Sequence, residues 1–274
     1  MNLQAFRHHL ARHPFWVYVV IFLLSQLTAG MLAGIFHFMP FERGISTQWT
    51  LSITLFLANV LAILLFFLYR PRSVTRTSTL AGIRHPKAQR TWLCFALALP
   101  LILLVNLFQE VFFPNLPDLV GEETFKQIMF NPIGLLTVAV LGPVAEELLF
   151  RGGVQTDLQL HDSGQGPAVA IGISAAIFAL VHLNPAQMPA AFILGILLGF
   201  AYWWTGSLIA PMLIHVFNNS FACAMAILSP NSDSMIAFLG GRVGAGIAAV
   251  VSLFCLVLVV RKIGQESKKD TEIA

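Results

Sequence analysis

Seven residues in the second half of the chain have types and spacings suited to acid–base chemistry. Glu146, Glu147 and Arg151 lie within PVAEELLFRGG; Phe178 and His182 are four apart, as are His215 and Asn219. From Ser163 to Ser232 there is no Asp, Glu, Lys or Arg, so His182 and His215 are the only strongly basic side chains in that apolar stretch. On a helix, residues four apart share a face and neighbours point about 100° apart. Glu147 and Arg151 are therefore placed to pair, and Glu146 is turned away from that pair and left for chemistry as a general base. Phe178 shares a face with His182 and His215 with Asn219, whereas Asn218, one position off, is the poorer partner.

One carboxylate and one imidazole can orient and deprotonate a water against a peptide carbonyl, while a second imidazole and an amide donate to the oxyanion. That set needs no metal. Glu146, His182 and His215 also form a His₂Glu set of the kind that holds catalytic Zn2+ with one position open to water. The H-E-x-x-H signature is absent, as are a G-x-S-x-G elbow and an aspartate dyad.

The elements carrying these residues are greasy. The chain has 274 residues, 57% of them hydrophobic and 11% charged, with a mean hydropathy of +0.78. Soluble domains carry roughly a quarter charged residues, and a membrane-crossing helix needs about 20 apolar ones. The pattern predicts an all-α polytopic membrane protein of eight helices, near 15–38, 49–69, 91–113, 131–154, 166–183, 188–204, 207–228 and 243–260. The whole chain, 1–274, reads as one integral membrane domain. The run from Phe15 to Phe38 is too long for a signal-peptide core and is expected to stay as a helix. The net charge of +3 gives nucleic-acid binding no support. Cys94, Cys223 and Cys255 lie in apolar runs without metal or disulfide spacing and read as small hydrophobes.

Charge sets the orientation. Six Lys/Arg and no acid occupy the segment from Arg70 to Arg90, and Arg261 and Lys262 open a basic tail; the segment 114–130 holds Asp118, Glu122 and Glu123 against Lys126. The positive-inside rule puts the basic segments, and with eight helices both termini, on the cytoplasmic side, and 114–130 outside. Trp49, Trp92, Trp203 and Trp204 near span ends suit interfacial anchoring. A hairpin turning near Gly164 would set Glu146 and His182 each about 27 Å from the turn at 1.5 Å per residue. If polar Gln155, Asp157 and Gln159 project that tip out of the bilayer, Glu146 and His182 fall near mid-depth, and His215 joins them at about 14 Å past Gly206.

Together, Glu146-Glu147-x-x-x-Arg151, Phe178-x-x-x-His182 and His215-x-x-x-Asn219, in order on successive helices, resemble the three signature motifs of the CAAX protease and bacteriocin-processing (Abi, CPBP) family, which includes the Ras-converting prenyl endopeptidase of eukaryotes. The resemblance covers a catalytic core of about 131–229; before it, only the hydrophobic helices agree. It implies an eight-helix chamber in which Glu146 and His182 activate water, His215 and Asn219 stabilise the oxyanion, and Glu147, Arg151 and Phe178 support them. Such a protein would act as an endopeptidase in the bacterial inner membrane on a protein or peptide, lipidated or not. The family has been labelled both metallo- and glutamate-type; the metal-free version is favoured because Asn219 is a natural oxyanion donor and a poor zinc ligand.

Each residue also has an ordinary explanation. Glu147 and Arg151 can serve packing alone; His182 can cap the helix before Asn184-Pro185; His215 can satisfy backbone groups freed by Pro211. Phe178 can be core, and Asn219 an interhelical hydrogen bond. Intramembrane Glu, His and Arg also build proton paths, which makes an ion- or proton-coupled transporter the competing class, with a non-catalytic adaptor or immunity protein the third. No inverted repeat pairs the two halves of the chain, which weighs against a transporter.

Overall fold

The computed structural model describes residues 15–38, 47–69, 88–119, 121–161, 166–228 and 234–273. The N-terminal arm, most of the basic segment (70–87) and the tip at 162–165 lie outside them. Helix α1 is Phe15–Phe38, α2 Thr47–Tyr69, α3 Ala88–Phe112 and α4 a short Glu122–Met129. Helix α5 starts at Pro132–Leu136, widens into a π-helical turn over Thr137–Leu141, tightens at Gly142–Leu149, widens again over Phe150–Gln155 and ends at Thr156–His161. Then follow α6 (Pro167–Leu180), α7 (Met188–Thr205), α8 (Ile209–Leu228), the one-turn α9 (Met235–Phe238) and α10 (Arg242–Ile273). No strand occurs among the described residues.

Seven of these helices are long and apolar enough to cross a bilayer, and the protein is an all-α polytopic membrane protein. The expected fifth span, 166–183, is shorter than the sequence suggests. α6 has only 14 residues, about 21 Å of axis. It stops because the ladder, still i→i−4 at Val181, tightens to i→i−3 bonds at His182 and Leu183, and Leu183 takes a left-handed φ of 50° just ahead of Asn184-Pro185, a conformation costly for a Leu side chain.

α5 is the hub. It packs against α1, α2, α6, α7 and α8, while α3 joins α7, α8 and α10 on the other side. Two glycines let backbones close in. A Cβ on Gly153 would meet the Tyr18 ring of α1 at 2.5 Å, and one on Gly195 of α7 would meet Ala175 of α6 at 3.0 Å. Small residues at helix crossings are the usual way membrane helices approach, since lipid supplies no hydrophobic drive between them.

Two details differ from the sequence reading. Gln155 and Asp157 do not project from the bundle. Gln155 is fully buried and donates to the Gly199 carbonyl at 3.0 Å, and Asp157 accepts from the Phe15 amide at 2.8 Å. The helix-five hairpin is thus tied down by protein contacts at this depth, and the symmetric 27 Å placement of Glu146 and His182 does not hold, because His182 sits past the end of α6. Trp204 is no interfacial anchor either: it is buried, stacked on Phe200 and covered by Arg90. Trp49, Trp92 and Trp203 are exposed as expected. Cys94 and Cys223 are buried and Cys255 exposed, none in a disulfide.

Candidate functional site

The α-helical segment Gly142–Leu149 carries both glutamates between two π turns. Such wide turns cluster at functional sites because they re-aim side chains. The first has a local cause in Pro143. The Gly142 amide bonds to the Thr137 carbonyl, five residues back, and the ring nitrogen of Pro143 has no hydrogen to give. The Val138 carbonyl between them therefore lacks an intrahelical donor. Asn219 of α8 supplies one, its Nδ2 lying 3.0 Å away.

Glu147 and Arg151 pair as their spacing requires, Oε1 to Nη1 at 3.0 Å with both side chains fully buried. The remaining guanidinium edge donates to the Gly195 carbonyl at 3.0 Å, and its face lies 4.6 Å from the Phe178 ring centroid. Charges at this depth persist only when neutralised in such a way. The pair also reaches the site. Nδ1 of His215 lies 2.8 Å from the same Glu147 Oε1, so Glu147 holds the ring through Nδ1–H and points Nε2 the other way. There Nε2 lies 3.7 Å from Glu146 Oε2, just beyond a hydrogen bond.

His182 is held differently. It occupies the turn after α6, and its Nδ1 lies 2.7 Å from the Phe178 carbonyl, which can only accept. Nδ1 therefore carries the proton, and in the neutral ring Nε2 is the basic nitrogen. The turn is clamped from outside. Asn184 accepts from the Leu119 amide at 3.2 Å and donates to Asp118 at 2.8 Å; the Ala186 amide reaches the Pro117 carbonyl, and Gln109 Nε2 reaches the Ala186 carbonyl at 2.6 Å. Phe178 stands between the halves of the site, its ring 4.8 Å from that of His182 and 5.7 Å from that of His215.

Glu146, His182, His215 and Asn219 all line one cavity of about 830 Å³, with Phe178 in its wall. Glu147 and Arg151 do not reach it; they stand behind His215. Three residues not singled out by sequence pattern line the cavity as well. Asn218 donates to Asn219 Oδ1 at 3.0 Å and fixes the amide's orientation. Gln109 exposes no part of its Oε1 to solvent and finds no hydrogen-bond partner for it. Glu110 accepts from the Ile236 amide at 3.2 Å. Glu110 and Gln109 near the end of α3 were legible only as polar residues in an apolar run.

The geometry of a zinc site can be tested on the same residues. A His₂Glu set would need Glu146 and the free nitrogens of His182 and His215 to converge on one point. Among the described residues no three His, Cys, Asp or Glu side chains do so. As arranged, these residues do not fit a zinc ion.

Comparison with known proteins agrees with this region. Residues 128–221 match the family model "Type II CAAX prenyl endopeptidase Rce1-like". Over 226 residues the chain is 26% identical to the membrane-embedded CAAX protease MroQ of Staphylococcus aureus, covering 78% of this chain and 89% of that protein. Over 109 residues it is 31% identical to YpbD, an uncharacterised protein of Bacillus subtilis, covering 38% of this chain and 51% of that protein. No solved structure matches significantly. The helices embed this matched segment in a membrane bundle, and the three motifs fall inside it: over this core the chain is similar to the CAAX prenyl endopeptidases.

Proposed function

We propose that the protein hydrolyses a peptide bond with a water activated by Glu146, without a metal ion. The observation that carries this reading is the meeting in one cavity of a carboxyl, two imidazoles and an amide from α5, α8 and the turn after α6, with Glu146 and His215 3.7 Å apart. Glu146 takes a proton from water as the oxygen attacks the substrate carbonyl. His182 orients that water through Nε2. His215, held by Glu147 through Nδ1–H, donates from Nε2–H of its doubly protonated ring to the developing oxyanion, and Asn219 adds its second amide hydrogen. Collapse of the tetrahedral adduct breaks the C–N bond, and Glu146 returns its proton to the leaving amine. One water is consumed, one carboxylic acid and one amine are formed, and Glu146 ends as it began.

Substrates of the class fitting this site are proteins or peptides that the membrane can present, lipidated tails among them. Purified protein is assayed on prenylated and unprenylated peptides. General-base removal should lower turnover about 10²–10⁴-fold, so Glu146→Gln is expected to abolish detectable cleavage while leaving the protein folded and membrane-inserted. Unchanged cleavage by Glu146→Ala sinks the proposal. Full activity after exhaustive chelation supports the metal-free form, and loss restored by Zn2+ overturns it.

A further inference from the structure

We infer that Asn106 of α3 is a substrate-binding residue, whose amide holds the backbone of the polypeptide about five residues from the bond to be cut, at 3.3 Å per extended residue. This rests on the proteolytic reading for what the cavity does. It gives a role to a helix that lies outside the segment 128–221 matched by the family model.

α3 and α8 run side by side in the same direction. Both start at the end of the bundle where Arg90 donates to the Trp204 carbonyl, just before the Gly206 turn into α8. Both finish by α9, where Leu107, Met225 and Met235 share one apolar cluster. Near their start the Phe95 and Phe217 rings meet at 5.2 Å. His215 and Asn219 lie two residues to either side of Phe217, and Asn106 lies 11 residues beyond Phe95. At 1.5 Å per residue, Asn106 therefore stands about 16 Å from the level of the catalytic pair along the bundle. Both ends of that span are cavity wall, with Leu101, Ile102 and Val105 between them. A chain that reaches His215 from the rim at Pro114, Gln187 and Ser234 passes Asn106 on the way.

Three polar side chains of α3 line the cavity, and two of them are already committed to loops. Gln109 donates to the Ala186 carbonyl, and Glu110 accepts from the Ile236 amide. Asn106 is exposed and bound only to its own helix, Nδ2 to the Ile102 carbonyl at 2.8 Å. Its Oδ1 and second amide hydrogen are left to the cavity. An amide within a membrane helix ordinarily finds its partner on another helix, and among the described residues none supplies one to Asn106. A polypeptide drawn into the cavity needs what this amide offers. Each backbone N–H that gives up water without finding an acceptor costs free energy, and Oδ1 is such an acceptor, with the remaining hydrogen available to a carbonyl.

This contact is neutral and reads the backbone, so it is the same whatever side chains the substrate carries. The titratable groups of the wall, Glu110, Glu146, His182 and His215, act on the reacting bond or on substrate side chains instead. Because the contact is remote from the reacting atoms, it forms equally with substrate and transition state. Such uniform binding appears in KM and leaves kcat nearly as it was.

The test uses the purified full-length protein and whichever prenylated or unprenylated peptide of the assay panel it cleaves fastest. That peptide is lengthened and shortened one residue at a time on either side of the cleaved bond, keeping its end groups. On one side KM is expected to fall about five- to tenfold at the residue that first reaches Asn106, the effect of one hydrogen bond. N-methylation of the backbone amide at that position should reverse the gain. In Asn106→Leu both steps should vanish, the long peptide binding no better than the short one. KM does not depend on how much of a variant folds, and the two peptide series on the unaltered protein stand even if the variant is lost. A series without a step at about five residues from the bond, or the same step in Asn106→Leu, overturns the assignment and leaves proteolysis in place. Cleavage of no peptide in the panel overturns the proteolytic reading, and this inference falls with it.

Discussion

His182 and His215 face one cavity, yet the molecule holds them by opposite means. His215 sits inside the long α8, 3% exposed, and its orientation comes from another helix: Glu147 grips Nδ1, and Arg151 grips Glu147. His182 lies beyond the end of the short α6, and its orientation comes from its own chain, through the Phe178 carbonyl four residues back. The first arrangement depends on buried charge, the second on local backbone and on the loop that clamps the turn. The same side chain thus fails in different ways when its support is removed, and that contrast can be broken deliberately.

The largest effect is expected at the charged support. Glu147→Gln keeps the shape of the side chain but leaves Arg151 without a counter-charge in the bundle interior. Breaking a buried pair from one side costs about 3–5 kcal/mol, so thermal unfolding in detergent should shift clearly downward. Cleavage should fall about a hundredfold, comparable to the loss of other orienting groups behind catalytic imidazoles and ligands. Substituting both partners, Glu147→Gln with Arg151→Met, removes the orphaned charge, and replacing a buried pair by neutral groups is often close to neutral. Stability should then recover while cleavage stays low. If cleavage recovers together with stability, Glu147 does no more than pack.

Next in size is the clamp around His182. Asn184 is 1% exposed and ties the turn to Leu119 and Asp118. Asn184→Ala removes two hydrogen bonds of roughly 1 kcal/mol each, a modest loss for a membrane bundle. Its effect on turnover should be about tenfold, because the turn that fixes His182 also contains the unfavourable left-handed Leu183. A large fall in unfolding temperature with unchanged turnover per folded molecule would show that the clamp serves the fold alone.

These contrasts also mark what could be read from the sequence. The membrane class, most of the helices and the Glu147–Arg151 pair follow from hydropathy and from i, i+4 spacing, because both depend on local geometry. The grip of Glu147 on His215 joins residues 68 apart and leaves no periodic trace. Spacing placed Asn219 on the His215 face but gave no sign that it would bond to α5. The clue was present in Pro143, whose missing N–H leaves the Val138 carbonyl open. The early end of α6 was hidden for a similar reason: Val181 and Leu183 continue the apolar pattern, while the backbone departs from the helix from His182 onward.

Smaller again is the effect expected at the crossing of α6 and α7. Gly195 sits where an added Cβ would lie 3.0 Å from both Cα and Cβ of Ala175, and its carbonyl receives Arg151. Gly195→Ala must therefore push α7 off α6 by a few tenths of an ångström, an overpacking cost of about 1–3 kcal/mol. Gly172, also on α6, has nothing within 4 Å of its would-be Cβ, so Gly172→Ala is the matched control and should be neutral or slightly stabilising, as Ala is the better helix former.

The smallest effect separates the two strands of the clamp. Asp118 is exposed and accepts only one of the two hydrogen bonds made by Asn184. In Asp118→Ala, Asn184 keeps the Leu119 amide, and an exposed polar contact contributes under about 1 kcal/mol. Turnover should drop two- to threefold at most, measured side by side with Asn184→Ala on one peptide. A tenfold drop would mean that the charge of Asp118 reaches the site across the cavity mouth, since its share of the clamp is too small to account for it. The comparison would then need redrawing, with His182 as well as His215 depending on a carboxylate.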